Sequence, residues 1–129
     1  MTQRRDLVLI VNNDQAVRDS LQFALQLEGF CVHVHSGGAT LLQDPDLGRA
    51  RCIILDERMK HMDGFTVLDA LQERKVSLPT ILLTSNATAR LRERADRIGV
   101  RNVLEKPLLG DTLVESIRSI LDSGSAAET

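Results

Sequence analysis

Strand and helix signals alternate five times along the chain. Leu7-Val8-Leu9-Ile10-Val11 is an unbroken apolar run and predicts a buried strand over 7–11. Asp14 then offers an N-cap to a helix with Val17, Leu21, Ala24 and Leu25 on one face, and Gly29 offers its C′ stop. Residues 30–35 alternate as a second strand. Gly37-Gly38 opens a short helical piece through Leu41 and Leu42 that ends near Asp44-Pro45. The third strand covers 52–55. A loop over 57–64 leads, after Gly64, to a helix bearing Val67, Leu68 and Leu71. Pro79 punctuates the entry to a fourth strand, and a fourth helix carries Leu91, Ala95 and Ile98 before stopping at Gly99. Residues 101–104 make a fifth strand. The last helix begins at Gly110 or Asp111, with Leu113, Ile117, Ile120 and Leu121 inward.

Central strands that are apolar throughout need helices on both faces. Five βα units with right-handed crossovers then predict an α/β fold, a doubly wound five-stranded parallel sheet with five helices. Residues 1–122 read as one domain. The small, polar residues 123–129 read as a disordered tail or the start of a linker.

Composition narrows the function classes. Aromatics are 2% of the chain (Phe23, Phe30 and Phe65), so the core is aliphatic and base-stacking surfaces are not expected. A formal charge of −2 gives no general pull toward nucleic acid or membrane. Cys31 and Cys52 lie in apolar runs with no CxxC pair, which predicts reduced, buried thiols. There is no signal-peptide pattern and no apolar stretch near the ~20 residues of a membrane span, so the expected location is cytoplasmic. No Gly-rich phosphate loop, nucleophile elbow or dinucleotide fingerprint is present. The chain therefore reads as a non-enzyme. No aromatic is placed to stack on a flavin.

The polar residues that follow the strands are the chemical signal. Asn12 and Asn13 follow the first strand, Asp56 the third, Thr84 the fourth, and Lys106-Pro107 the fifth. A parallel α/β sheet gathers its site at these strand ends. The stretch Leu55-Asp56-Glu57-Arg58-Met59-Lys60-His61-Met62-Asp63-Gly64 resembles the family pattern of an Asp followed by Arg-Met-Pro-x-Met-Asp-Gly, with Lys60 in place of the proline. Val11-Asn12-Asn13-Asp14, Val17-Arg18 and Ser20-Leu21 align without gaps to the same family's opening, and Leu83-Thr84 and Glu105-Lys106-Pro107 match its remaining landmarks. Over roughly residues 6–122 the chain resembles the receiver domain of bacterial two-component response regulators.

The resemblance implies a flavodoxin-like sheet of order 2-1-3-4-5 and a phosphoacceptor, Asp56, that takes a phosphoryl group from a sensor histidine kinase or a phosphotransfer protein. It implies that Lys106 and Thr84 steady the transferred group. It also implies Mg²⁺ held by Asp56, the backbone carbonyl of Arg58 and two acids after the first strand. Here those acids are Asn12 and Asn13, which keep oxygen donors and lose charge. At an effective dielectric of about 20, a contact pair of unit charges is worth up to ~4 kcal/mol before desolvation. Mg²⁺ binding is therefore expected to be weak or absent. Two readings stay open: an atypical but working receiver, or a pseudo-receiver that serves as an interaction module without regulated phosphorylation. Val103 stands where the family usually has Tyr or Phe, so any relay must use backbone or packing. A cis peptide is implied at Lys106-Pro107.

Other residues have plainer readings. Cys31, His33 and His35 share one strand face, where a metal site is conceivable and edge-strand surface is the default. His61 reads as an exposed loop residue. Arg90, Arg94 and Arg97 recur at helical spacing as a solvated face helped by a Glu93–Arg97 pair. The resemblance makes the face of the fourth helix, fifth strand and fifth helix a partner or homodimer surface. Direct nucleic-acid binding by this domain is not expected.

Overall fold

The computed structural model describes residues 6–108 and 111–128, with side chains as far as 122. Five strands, β1 (Leu7–Val11), β2 (Cys31–His35), β3 (Cys52–Asp56), β4 (Thr80–Thr84) and β5 (Asn102–Glu105), alternate with five helices. These are α1 (Gln15–Leu27), α2 (Gly38–Leu42), α3 (Gly64–Glu73), α4 (Ala89–Ile98) and α5 (Thr112–Glu128). The strands form one parallel sheet of order 2-1-3-4-5. β2 and β5 are its edges.

Alternation along the strands splits the core in two. Leu7, Leu9, Val11, Ile53, Leu55 and Leu82 face a cluster that includes Leu41, Phe65, Val67, Leu71 and Ala95. Val8, Ile10, Ile54, Ile81 and Leu83 face the other way, onto Leu25, Phe30, Leu113, Ile117 and Ile120. β1, β3 and β4 are buried on both faces, which is why they read as unbroken apolar runs.

Local signals behave as their chemistry requires. Asp14 Oδ1 accepts the N–H groups of Ala16 and Val17 and caps α1. At its other end Gly29 has φ +95°, and the Phe30 N–H closes onto the Leu25 carbonyl, as a Schellman ending requires. Gly99 ends α4 with φ +94°. Asp63 caps α3 through Thr66 N–H, so Gly64 is the first helical residue and not the residue before it.

The structure departs from the sequence reading at several points. Ala24 is exposed, because the inward line of α1 runs through Leu21 and Leu25. β5 begins one residue later than expected, and a 3₁₀ turn at Leu47–Arg49 carried no recognisable signal. The backbone of α5 continues through Glu128, where a tail or linker was expected from 123. Extending a formed helix costs far less than starting one, and the segment contains Ala126 and Ala127. Of the two expected starts of α5, Gly110 lies outside the described residues, and the Asp111 carbonyl accepts the Glu115 N–H. Among the described residues no helix is long and apolar enough to cross a membrane.

Candidate functional site

The carboxyl ends of β1, β3, β4 and β5 bring four of the expected residues to one edge of the sheet. Val11 pairs with Leu55, so Asn12 and Asp56 follow at neighbouring positions. Asp56 pairs with Leu83 and Thr84 with Glu105, which sets Thr84 and Lys106 beside them. The Glu57 N–H donates to the Leu83 carbonyl and the Lys106 N–H to the Thr84 carbonyl, so the backbone ladder runs on into the site loops.

Asp56 is the centre of this arrangement. The residue is 4% exposed, and Lys106 Nζ lies 2.5 Å from its Oδ1. The contact is a close ion pair that neutralises the carboxylate. Burial pushes the Asp56 carboxyl above its ordinary range. Lys106 pulls it back in part, and the charge of Glu57 adds to the rise. Behind Asp56, a Cβ on Gly64 would stand 2.9 Å from the Asp56 carbonyl oxygen and 3.2 Å from Glu57 Cα. Only glycine permits that approach.

Asn12 is as deeply buried as Asp56, at 2% exposure. Its Oδ1 accepts the Asp14 N–H at 2.8 Å, which fixes the orientation of the amide. Its Nδ2 is left buried without a hydrogen-bond partner among the described residues. Arg18 Nη1 donates to the Asn12 carbonyl at 2.6 Å and holds the loop. Thr84 does not offer a free hydroxyl: its Oγ1 donates to Glu57 Oε1 at 2.8 Å.

Asn13 and Arg58, the other two expected metal residues, each line a cleft. Asn13 is exposed and lines a cleft of about 380 Å³ with Gly37, Gly38, Lys60 and His61. Arg58, whose backbone carbonyl is the expected ligand, lines a second cleft of about 260 Å³ with Glu57, Asn86, Arg90 and Arg94. The set does not fit Mg²⁺ well. It contains one carboxylate, already neutralised by an ammonium group, and the buried Asn12 amide leaves an N–H donor, not an oxygen, without a partner among the described residues.

Sequence reasoning missed three contributors. Glu57 and Glu105 sit within the matched motifs, yet nothing in their spacing says that one holds Thr84 or that the other accepts the Ala87 N–H. Arg18 also lay in a matched motif without an assigned contact. The arginines of α4 are not simply solvated. Arg97 pairs with Glu93 as expected, but Arg94 lies 4.0 Å over the Phe65 ring, and Arg90 lines the second cleft. Lys106-Pro107 is cis, and Val103 packs against one of the two core clusters. Cys31 and Cys52 are unbridged, and burial raises the Cys52 thiol to about 12, which leaves it inert.

Comparisons with known proteins converge on one family. A family model described as "Response regulator receiver domain" matches residues 8–118. Curated relatives include the C4-dicarboxylate transport transcriptional regulatory protein DctR of Rhodobacter capsulatus, 36% identical over 110 residues, which covers 84% of this chain and 56% of that protein. The transcriptional regulatory protein FixJ of Rhizobium meliloti is 33% identical over 122 residues, covering 94% of this chain and 59% of that protein. The chain thus spans little more than half the length of these relatives. Among solved structures, FixJ-N superposes with a TM-score of 0.81 at 29% identity, over 93% of this chain and 96% of the other. The signal receiver domain of a putative LuxO repressor protein from Vibrio parahaemolyticus shares the fold, with a TM-score of 0.88 at 22% identity, over 97% and 96% of the two chains.

Proposed function

The chain belongs to the response regulator receiver domain family, and on that premise we propose that Asp56 accepts a phosphoryl group from a histidine kinase or a phosphotransfer protein. In that step an Asp56 carboxylate oxygen bonds to phosphorus as the phosphorus–nitrogen bond of a phosphohistidine breaks. The bonding pair leaves with the imidazole. The observation that carries the reading is the nearly buried Asp56 with Lys106 Nζ at 2.5 Å, at the carboxyl edge of the sheet. Lys106 neutralises charge on the incoming group. The unpartnered Asn12 Nδ2 donates to one of its oxygens, and Thr84 donates to another after leaving Glu57. With Asn12 and Asn13 replacing two acids, Mg²⁺ binds weakly, and these protein groups supply more of the neutralisation.

A second reading rests on the same pocket. Asp56 is already paired, Thr84 is already held, and neither residue 12 nor 13 is an acid. Such a pocket also suits a pseudo-receiver, read by a partner in one fixed conformation. The face of α4, β5 and α5 is the proposed partner or homodimer surface. The relatives are named as transcriptional regulators. For this chain we propose the signal-receiving part of such a role, inside the cell, without direct nucleic-acid contact by this domain.

Intact-mass measurement after incubation with acetyl phosphate, with and without Mg²⁺, separates the readings. One phosphoryl adduct that is absent from Asp56→Asn supports the acceptor. No adduct on a folded protein supports the pseudo-receiver.

A further inference from the structure

His33 and His35 lie on the same face of the edge strand β2, and both rings reach one carboxylate. His33 Nδ1 is 3.1 Å and His35 Nε2 2.8 Å from Asp44 Oδ2. The other oxygen, Oδ1, accepts the Asp46 N–H at 2.8 Å, which orients the carboxylate and turns the chain so that Asp46 comes alongside. Asp46 Oδ1 is held by Arg49 Nε at 3.0 Å, while its Oδ2 stands 4.0 Å from His33 Nε2. Ligand atoms of His33, Asp44 and Asp46 all lie within 4.8 Å of one another. The cluster has a closed floor and an open mouth: the Asp44 side chain is 4% exposed and that of His35 13%, against 35% for His33 and 34% for Asp46.

We propose that His33, His35 and Asp44, with Asp46 beside them, bind a divalent transition ion of the Zn²⁺ or Co²⁺ type. Metal–nitrogen and metal–oxygen bonds of ~2.0–2.1 Å set the edges of a tetrahedron at ~3.3 Å. The two N···O separations fall a few tenths of an ångström short of that edge. Two imidazoles with carboxylates select borderline ions over Mg²⁺ or Ca²⁺. Two ionised carboxylates and two neutral rings bring −2 to the ion, and Arg49 offsets part of the Asp46 charge from outside. The Asp46 N–H on Asp44 Oδ1 is the kind of outer contact that aims a ligand. None of these side chains belongs to the Asp56 pocket, so the proposal is independent of phosphorylation.

The test uses the wild-type protein with Co²⁺ alone, followed by absorption, and Zn²⁺ alone, followed by the ring-nitrogen NMR signals of its three histidines. The expected result is one equivalent bound, with the strong visible band of four-coordinate cobalt. His33 and His35 rings should shift while His61 stays still, and excess Mg²⁺ should not compete. Asp44→Asn should weaken binding at least ~10-fold, since even outer-shell losses cost 10–100-fold. His33→Gln should do the same if Asp44→Asn fails to fold. No binding, binding that moves His61 instead, or binding untouched by these variants would overturn the proposal.

Discussion

Replacing Asn12 and Asn13 together by aspartate tests the charge argument at the Asp56 pocket most directly. Each restored unit charge is worth up to ~4 kcal/mol against a neighbouring unit charge at an effective dielectric of about 20. If desolvation removes three quarters of that, about 1 kcal/mol per residue remains. Two residues then give roughly 30-fold tighter Mg²⁺ binding, at tenfold per ~1.4 kcal/mol. The two shares are unequal. Asn12 is 2% exposed, whereas Asn13 faces solvent, where salt and water screen it. Asn12→Asp alone should therefore give most of the gain, and it also replaces a buried N–H without a partner by an acceptor oxygen. The same change sets a second carboxylate beside Asp56, so the metal-free variant should be less stable than wild type and recover with Mg²⁺. The chain has no Trp or Tyr to report binding by fluorescence. Calorimetry or backbone amide shifts during Mg²⁺ titration are the suitable assays. Equal Mg²⁺ affinity in wild type and double variant would refute the reasoning, as would a gain confined to Asn13→Asp.

Three further outcomes follow from the pocket and its supports. Burial lifts the Asp56 carboxyl above its unfolded value, so the folded state binds that proton more tightly. Its contribution to stability is then lost as pH rises from the ordinary carboxylate range through the raised value. Asp56→Asn should accordingly melt higher than wild type at pH 7, with the difference vanishing toward acid in thermal unfolding across a pH series. Removing the acceptor with Glu57→Ala should free the Thr84 hydroxyl from a charge-assisted bond of about 1.5–3 kcal/mol. If that bond must break for transfer, adduct formation from acetyl phosphate should speed up roughly tenfold or more, and an unchanged rate would remove Thr84's release from the proposal. Gly64→Ala should cost about 1–3 kcal/mol in denaturant unfolding, because its Cβ meets backbone, the Asp56 carbonyl oxygen at 2.9 Å, which cannot rotate away.

The sheet was legible in the sequence because its central strands are apolar on both faces and its helix ends carry unambiguous stops, as at Gly29 and Gly99. Asp56, Thr84, Lys106 and Asn12 could be placed because a residue at a strand end has little freedom in a parallel sheet. Side-chain partners were not legible. Glu57 reaches Thr84 across 27 positions in sequence, and Asp44 meets His33 and His35 through a loop whose turn depends on an Asp44–Asp46 contact. Spacing does not encode such meetings. Ala24 was misplaced because a small apolar residue is compatible with either side of a helix.

A core on both sides of the sheet also bears on how the strands find their alignment. In a one-sided sheet, a slip of one residue drives polar groups inward and is rejected by solvation. In β1, β3 and β4 both sides are aliphatic, so a slip would exchange one aliphatic lining for another, and solvation alone would not reject it. What resists it is the polar residue at each strand end. A slip in β3 would draw Asp56 away from Lys106 and bury it among leucines and isoleucines, and a slip in β1 would do the same to Asn12. The polar groups at the strand ends thus also serve as alignment marks for folding. A chain of this type that lost its reactive pocket entirely would need other marks to keep its strands in step.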